Sequence, residues 1–277
     1  MNKTRPIDQI VSPVETSDGA GVKLKRCIGT PALDHLDPFL MLDVFGSVEG
    51  ADYIAGFPDH PHRGFETVTY MLNGKMRHTD NAGNEGLLES GAVQWMTAGR
   101  GIVHSEMPEQ TDGLMKGFQL WVNLPASHKM CEPRYQDLAP SDIPSKNIAG
   151  IGTLKVIAGE LFDVVGPVSE IITKPLFVDL DLQENAEIDI PIPEGKSSFL
   201  YIFEGSLHVD CEDIPTDHLV TFGDGDILSI KAGAKGGRFI LLAADPIKEP
   251  IARHGPFVMN TREEIYQAFD DYRAGKF

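Results

Sequence analysis

The chain is poor in cysteine and in long apolar runs. Three of its 277 residues are cysteines, Cys27, Cys131 and Cys211, and they are widely separated with no Cys-x-x-Cys pair. This predicts neither a disulfide framework nor a thiolate metal site. No apolar run approaches the roughly 20 residues that span a bilayer, and no apolar stretch follows the basic residues between Met1 and Ile10. We therefore expect a soluble, cytoplasmic protein that makes no contact with a membrane.

Basic residues are also scarce: the chain has 24 Lys and Arg but 41 Asp and Glu, which gives a formal net charge of -17. Binding to nucleic acid without sequence preference requires Lys and Arg to neutralise phosphates. The composition therefore argues against a direct nucleic-acid partner. The most basic short stretch, Lys23 to Arg26, alternates as a β-strand with one polar face would.

Long helices are not expected from a chain with 28 Gly and 19 Pro. Short runs rich in Val, Ile, Thr and aromatic residues, separated by turn residues, predict an all-β protein. These runs cover residues 67–72, 118–124, 154–158, 199–203 and 238–243. One helix is predicted from Thr261 to Tyr272, where Thr261 and Glu264 form a capping-box pattern.

Two i, i+2 pairs carry side chains that can bind a metal: His60 with His62, and His104 with Glu106. Alternate residues of a strand point to the same face, so each pair can present two donors to one site. Three imidazoles and a carboxylate suit Fe, Mn, Co, Ni, Cu or Zn. Glu66 follows His62 by four positions, so it has the same strand parity and could also reach an inward metal. The carboxylate ligand is therefore Glu106, Glu66 or both.

The stretches around these pairs are distinctive. They read HPHRGFETV over residues 60–68 and QWMTAGRGIVHSEM over residues 94–107, with LDPFLMLD at 36–43 and GFQLWVNLP at 117–125. Together they resemble the pirin family of the cupin superfamily, densely from about residue 25 to 135 and diffusely afterwards. The resemblance implies a metal set of His60, His62, His104 and Glu106, and it ranks Glu106 above Glu66.

The resemblance also implies a function. Four protein ligands leave one or two positions of a five- or six-coordinate metal open. Pirin-like proteins are associated with quercetin 2,3-dioxygenase activity, in which a flavonol reacts with dioxygen, its ring is cleaved and carbon monoxide is lost. One divalent metal, with Fe²⁺ expected, would serve this reaction, and Glu106, or Glu66 if it is uncoordinated, would act as general base.

Two alternatives stay open. Some members of the family act as redox-responsive regulators that bind a transcription factor or a metabolic enzyme, and the same ligands would then serve a protein partner. The second alternative is an enzyme that oxidises a different small molecule. The width of the cavity mouth above the metal should separate a regulator from an enzyme.

An internal repeat indicates two related units. The stretch from Tyr70 to Gly74 matches Tyr201 to Gly205, and Gly91 to Gly99 matches Gly225 to Gly233. We predict a bicupin of two jelly-roll-like β-barrel domains, residues 1–135 with the metal site and residues 136–277 ending in a short helix. In the second copy, positions opposite the ligands and Glu66 are occupied by Pro191, Pro193, Arg238, Ile240 and Ser197, so one metal per chain is expected.

Two further residues, Arg63 and Asp43, are expected to form hydrogen bonds to the ligating imidazoles, as Glu66 would if it is not a ligand. The remaining histidines have no paired spacing and are interpreted as surface or hydrogen-bonded residues: His35, His78, His128, His208, His218 and His254.

Overall fold

Strands account for nearly all of the regular structure. The computed structural model describes residues 3–277, and it confirms each of the five predicted strand runs. The elements in chain order are β1 (Ile7–Val11), β2 (Val14–Asp18), β3 (Val22–Ile28), β4 (Phe39–Ser47), a 3-10 helix (Gly50–Asp52), β5 (Phe57–His62), β6 (Phe65–Asn73), β7 (Met76–Asp80), β8 (Glu85–Leu88), β9 (Val93–Thr97), β10 (Ile102–Pro108), β11 (Met115–Asn123), β12 (Arg134–Leu138), β13 (Ser145–Ile148), β14 (Gly152–Ala158), β15 (Glu160–Leu161), β16 (Val164–Val165), β17 (Leu176–Leu182), β18 (Glu187–Pro191), β19 (Ser197–Val209), β20 (Glu212–Pro215), β21 (His218–Phe222), β22 (Ile227–Ala244), β23 (Ala252–His254), β24 (Phe257–Met259) and α1 (Arg262–Arg273).

The chain folds into two compact units. The N-terminal unit comprises Val14–Pro140 together with Ile247–Phe277, and the C-terminal unit comprises Ser141–Pro246 together with the residues up to Pro13. A simple division at residue 135/136 therefore does not describe either unit. The reason is strand pairing and helix packing: β1 pairs with β21, while α1 packs against β23 and β24.

The N-terminal unit contains a seven-stranded sheet in the order β12-β9-β6-β11-β4-β3-β2 and a four-stranded sheet in the order β5-β10-β7-β8. Alternating apolar residues bury one face of these strands, as in β3, where Val22 and Leu24 are buried and Lys23 is exposed. The result is a jelly-roll-like sandwich and not a closed barrel.

The C-terminal unit repeats this plan. Its main path is β1-β21-β19-β22-β17-β14-β13, so β6 and β19 hold the same place, as do β11 and β22. The first half of the predicted repeat, with Tyr70 on β6 and Tyr201 on β19, agrees with this order. The second half does not, because β9 corresponds to β21, and the stretch after Gly225 begins β22 and pairs with β18, as β10 pairs with β5. The apolar core of this unit is one continuous cluster that includes Leu200, Val220 and Leu241.

Helix α1 begins where the sequence predicts. Thr261 is the N-cap and accepts a hydrogen bond from the Glu264 backbone, while the Glu264 carboxylate accepts from the Thr261 N–H. Ile265 and Ala268 are buried against Phe257 and Met259. Within residues 3–277 the three cysteines form no disulfide. Within residues 3–277 no helix is long and apolar enough to cross a membrane.

Candidate metal centre

Three histidines meet on the four-stranded sheet. His60 and His62 lie on β5, His104 lies on the neighbouring β10, and His104 pairs directly with His60. The ring centroids are 4.7 Å apart for His60 and His62, 4.3 Å for His60 and His104, and 5.0 Å for His62 and His104. One nitrogen from each ring lies within 4.8 Å of the others, and among residues 3–277 this is the one such group of three or more metal-binding side chains.

Two prolines help to explain why β5 takes this position. Pro58 and Pro61 lack a backbone N–H, so their strand cannot make all the hydrogen bonds of a central strand, which has a neighbour on each side. Strand β5 is the edge strand of its sheet, where a missing donor is tolerated. His60 and His62 flank Pro61 and present their rings on the same face.

The electrostatic environment keeps two of the imidazoles neutral. Burial, followed by the neighbouring imidazoles, holds the pKa values of His62 and His104 well below the usual range for histidine. Neutral imidazole is the form that binds a metal. Both rings are almost fully buried, at 3% and 1% exposed.

The residues present fit a metal ion. His62 Nδ1 and His104 Nε2 are buried with no hydrogen-bond partner, which is costly for polar atoms unless a ligand satisfies them. The third ring is anchored by its other nitrogen, since His60 Nδ1 lies 2.8 Å from the Pro58 carbonyl oxygen. A proton on that nitrogen leaves the Nε2 lone pair of His60 available.

Glu106 is buried on β10, two residues after His104, with a bulge between them. Thr69 Oγ1 donates to its Oε1 at 2.8 Å, and Gln119 Nε2 donates to its Oε2 at 3.2 Å. Glu106 lines the same cavity as His60 and His62 but is not part of the close histidine group.

The structure does not bring Glu66 to the histidines. The expected parity is lost because the strand is interrupted at Gly64, whose φ is +88°. The Phe65 ring packs against the His62 ring, with the two centroids 5.0 Å apart. Glu66, the next residue, therefore points to the opposite face of β6, where it accepts a hydrogen bond from Thr97 Oγ1 at 2.7 Å. Burial, opposed by this hydrogen bond, raises the pKa of Glu66 to about 7.

Arg63 and Asp43 are also buried, but neither forms the hydrogen bond to a ligating imidazole that the sequence suggested. Arg63 donates to the Arg100 carbonyl and to Asp271 of α1, and it stacks on Phe277 with its guanidinium carbon 4.3 Å from the ring centre. Asp43 accepts two hydrogen bonds from Arg26, at 2.8 and 2.7 Å, on the cavity wall.

His78 is a site residue that the sequence interpretation missed. It is 2% exposed on β7, and its Nδ1 lies 3.3 Å from His104 Nδ1. Its backbone position pairs with Glu106. The alternation of Met76, His78 and Asp80 is the signal that could have located it, because β7 was not among the predicted strands.

A cavity of about 580 Å³ opens above the histidines. Its wall is apolar at Phe57 and Trp121 and polar at Arg26, Gln119 and Arg253. Small-molecule sites have volumes of about 300–1,000 Å³ and combine apolar walls with a few polar groups. The cavity therefore has the size and character of a small-molecule site.

Comparison with known proteins agrees with the fold. The Pirin family model matches residues 21–122, and the model of the Pirin C-terminal cupin domain matches residues 177–277. The chain belongs to the pirin family. The N-terminal match contains all three clustered histidines and Glu106, and the C-terminal match includes the residues of α1 that pack in the N-terminal unit.

Relatives of this pirin-family chain align over almost its whole length. It is 48% identical to a pirin-like protein of Caulobacter vibrioides, covering 99% of both chains, and 43% identical to human pirin, covering 100% of this chain and 95% of that one. Among solved structures, quercetin 2,3-dioxygenase from Acinetobacter baumannii is 32% identical, with a TM-score of 0.91 over 99% of this chain and 98% of that one. The chain is thus an all-β bicupin.

Proposed function

We propose that this protein is a metal-dependent dioxygenase of the quercetin 2,3-dioxygenase type, which cleaves a flavonol with dioxygen. The observation that carries the proposal is the close group of His60, His62 and His104, in which buried nitrogens of His62 and His104 have no hydrogen-bond partner, beside a cavity of about 580 Å³ that His60 and His62 line. The activity named for the Acinetobacter relative, at 32% identity over nearly the whole chain, supports the same reaction.

His60, His62, His104 and Glu106 would hold one divalent metal, with iron(II) the expected occupant. An iron(II) ion with open positions would supply Lewis acidity toward substrate oxygens and one-electron chemistry with dioxygen. Oxygen and nitrogen donors of this set also accept Mn, Co, Ni, Cu and Zn, so metal content has to be measured.

The cavity walls suit a flat polyhydroxylated aromatic. Trp121 packs edge-on against His62, with centroids 5.2 Å apart, and supplies an apolar surface close to the reacting region. Arg26 and Gln119 supply polar groups for ring hydroxyls. Such a wall excludes water from the substrate rings and orients the hydroxyl groups.

Glu106 would hold the substrate hydroxyl proton. Its carboxylate is buried at 4% exposure and reaches the cavity, with one hydrogen bond to each oxygen from Thr69 and Gln119. Those two contacts fix the direction of the carboxylate while leaving lone pairs for a metal or a substrate proton.

The test is dioxygen uptake and carbon monoxide release with quercetin, measured alongside metal content by mass spectrometry. We expect uptake in the wild type and its loss in His60→Ala together with the metal. Glu106→Gln should lower both metal retention and turnover, because an amide is neutral and cannot accept the proton. His35→Ala, which removes an exposed histidine of the same unit, is the control and should leave both unchanged.

A bound metal with no quercetin-dependent uptake would contradict the dioxygenase. The remaining function would be a metal-dependent regulator of a protein partner, such as a transcription factor or metabolic enzyme, or an oxidase of another small molecule. A wild type that binds no metal after loading would contradict all three. Full activity and full metal content in Glu106→Gln would remove Glu106 from the site.

A further inference from the structure

A chain of hydrogen bonds leads from His104 away from the cavity. His104 Nδ1 contacts His78 Nδ1 at 3.3 Å, and His78 Nε2 contacts the Tyr135 hydroxyl at 3.0 Å. The Tyr135 hydroxyl in turn faces the Asp80 carboxylate, and both side chains line one small cavity. Strand β7 presents His78 and Asp80 two residues apart, opposite Glu106 and His104 of β10.

The carboxylate fixes the end of this chain as an acceptor. Asp80 Oδ1 accepts from the backbone N–H groups of Ala82 and Asn84 at 2.9 and 2.8 Å, and Oδ2 accepts from Asn84 Nδ2 at 2.7 Å. Burial alone would raise the pKa of Asp80, but the hydrogen bonds from Asn84 and Ala82 hold it below its usual value. An ionised carboxylate only accepts hydrogen bonds.

The direction of every other hydrogen bond follows. The negative charge of Asp80 attracts the one proton of the Tyr135 hydroxyl, so we infer that the Tyr135 oxygen accepts from the Nε2–H of His78. Neutral histidine carries one ring proton, and His78 Nδ1 is then a lone pair that accepts from the Nδ1–H of His104. His104 Nε2 is left without a proton.

The surroundings of His104 favour this direction over its reverse. His104 Nε2 is buried and has no hydrogen-bond partner. In the reverse direction that nitrogen would carry a proton with no acceptor, at the cost of an unsatisfied buried donor. It would also have no lone pair for a metal.

We propose that Asp80, Tyr135 and His78 are positioning residues that hold His104 as the Nδ1–H tautomer, with its Nε2 lone pair directed to the metal site. The inference rests on the proposed metal site, but the tautomer itself exists in the metal-free protein. Partners of metal-bound histidines typically change metal affinity by about 10- to 100-fold when they are removed.

Nuclear magnetic resonance of the metal-free protein with ¹⁵N-labelled histidine tests the tautomers directly. Long-range ¹H–¹⁵N correlations at pH 8 should show His104 protonated on Nδ1 and His78 protonated on Nε2. Assignment uses His104→Ala and His78→Leu. In Tyr135→Phe, the fixed tautomer of His78 should be lost, because no acceptor remains for its Nε2–H.

Cobalt(II) titration supplies the second readout. His78→Leu should weaken cobalt binding by about 10- to 100-fold. His78→Asn can place a carbonyl oxygen near the lost Nδ1 and should stay within about twofold of the wild type, since it restores an acceptor for His104. Tyr53→Phe, which removes another buried tyrosine hydroxyl that donates to the Gly113 carbonyl, is the matched control for Tyr135→Phe and should bind cobalt normally.

Three results would overturn the inference: His104 protonated on Nε2 in the wild type, equal loss of affinity in His78→Leu and His78→Asn, or Tyr135→Phe behaving as Tyr53→Phe does. Urea unfolding of each metal-free variant separates loss of fold from loss of the tautomer. A wild type that binds no cobalt would contradict the proposed metal site, while the tautomers would still decide this inference.

Discussion

At the scale of single residues, Glu66 shows how a metal-ligand pattern can mislead. Its distance from His62 gives the parity of a ligand only if the strand is continuous. The bend at Gly64 turns Glu66 to the other face of β6, where it is 2% exposed beside Thr97. A carboxylate there has one protein hydrogen bond and no metal, so its charged form is destabilised.

The pKa of Glu66 makes stability depend on pH in a definite direction. Its folded value of about 7 lies above the ordinary value of 4.5, so between these limits the folded chain keeps a proton that the unfolded chain releases. The contribution of Glu66 to the free energy of unfolding should therefore fall as pH rises from about 4.5 to 7, against the opposite contribution of His62 and His104, whose pKa values are lowered by burial.

Glu66→Gln should remove this fall and stabilise the protein at pH 8 by about 3 kcal/mol, because the amide is neutral and can still accept from Thr97. Urea unfolding at pH 5 and pH 8 measures the difference. Glu15→Gln, at an exposed position of the same unit, should keep the wild-type dependence. Equal dependence in Glu66→Gln and the wild type would show that Glu66 ionises without cost.

At the scale of elements, the break between β5 and β6 separates the histidine strand from the larger sheet. Lys129 holds this break together: its ammonium donates to the carbonyl oxygens of Gly64 and Val258, at 2.8 and 2.9 Å, and to Asn123 Oδ1 at 2.7 Å. Lys129 is 1% exposed, so these three hydrogen bonds replace its water.

Gly64→Ala should disrupt the break for two reasons. A side chain at a φ of +88° is strained, and a Cβ there would lie 2.0 Å from the Val258 carbonyl oxygen. Gly83 has a φ of +89° and no atom within 4 Å of a Cβ, so Gly83→Ala measures the strain alone, roughly 1–2 kcal/mol.

We expect Gly64→Ala to lose at least about 2 kcal/mol more than Gly83→Ala in urea unfolding, since the backbone must also move. Metal binding should weaken only in Gly64→Ala, because His62 lies two residues before the break. Equal losses in the two variants would show that the contact with Val258 is relieved without strain.

The sequence predicted five of the strands, α1 with its capping box, and the pairing of His60, His62 and His104, because these depend on local alternation and capping. It did not predict what depends on distant contacts. His78 was interpreted as a surface or hydrogen-bonded residue, and its partner His104 lies 26 residues away. Arg63 directly follows the ligand pair but contacts Asp271, 208 residues further along the chain.

At the scale of the whole molecule, two units share one strand order but not one set of side chains. In the C-terminal unit the counterparts of β5 and β10 are β18 and the first part of β22. Neither β18, with the sequence EIDIP, nor the stretch ILSIKA that opens β22 contains a histidine. We therefore expect one metal per chain, bound by the N-terminal unit.

Native mass spectrometry after cobalt(II) loading should show one bound metal in the wild type and none in His104→Ala. His208→Ala, at an exposed histidine of β19 in the C-terminal unit, should keep one. Bound metal should also raise the unfolding temperature of the wild type. At a free metal concentration 100 times Kd, the free energy of unfolding should increase by about 2.7 kcal/mol. Two metals per chain would contradict the loss of the second site.

The two units alternate along the chain, and this constrains the order in which they can complete their folding during synthesis. Residues 14–140 leave the ribosome before residues 247–277 exist, and all of Ser141–Pro246 is made in between. A nascent chain that stops at residue 140 has Arg63 without Asp271 and Phe277, and Lys129 without the Val258 carbonyl. Two buried cations next to the histidine strand therefore acquire their remaining partners last, so the N-terminal unit completes its fold only after translation has passed the C-terminal one.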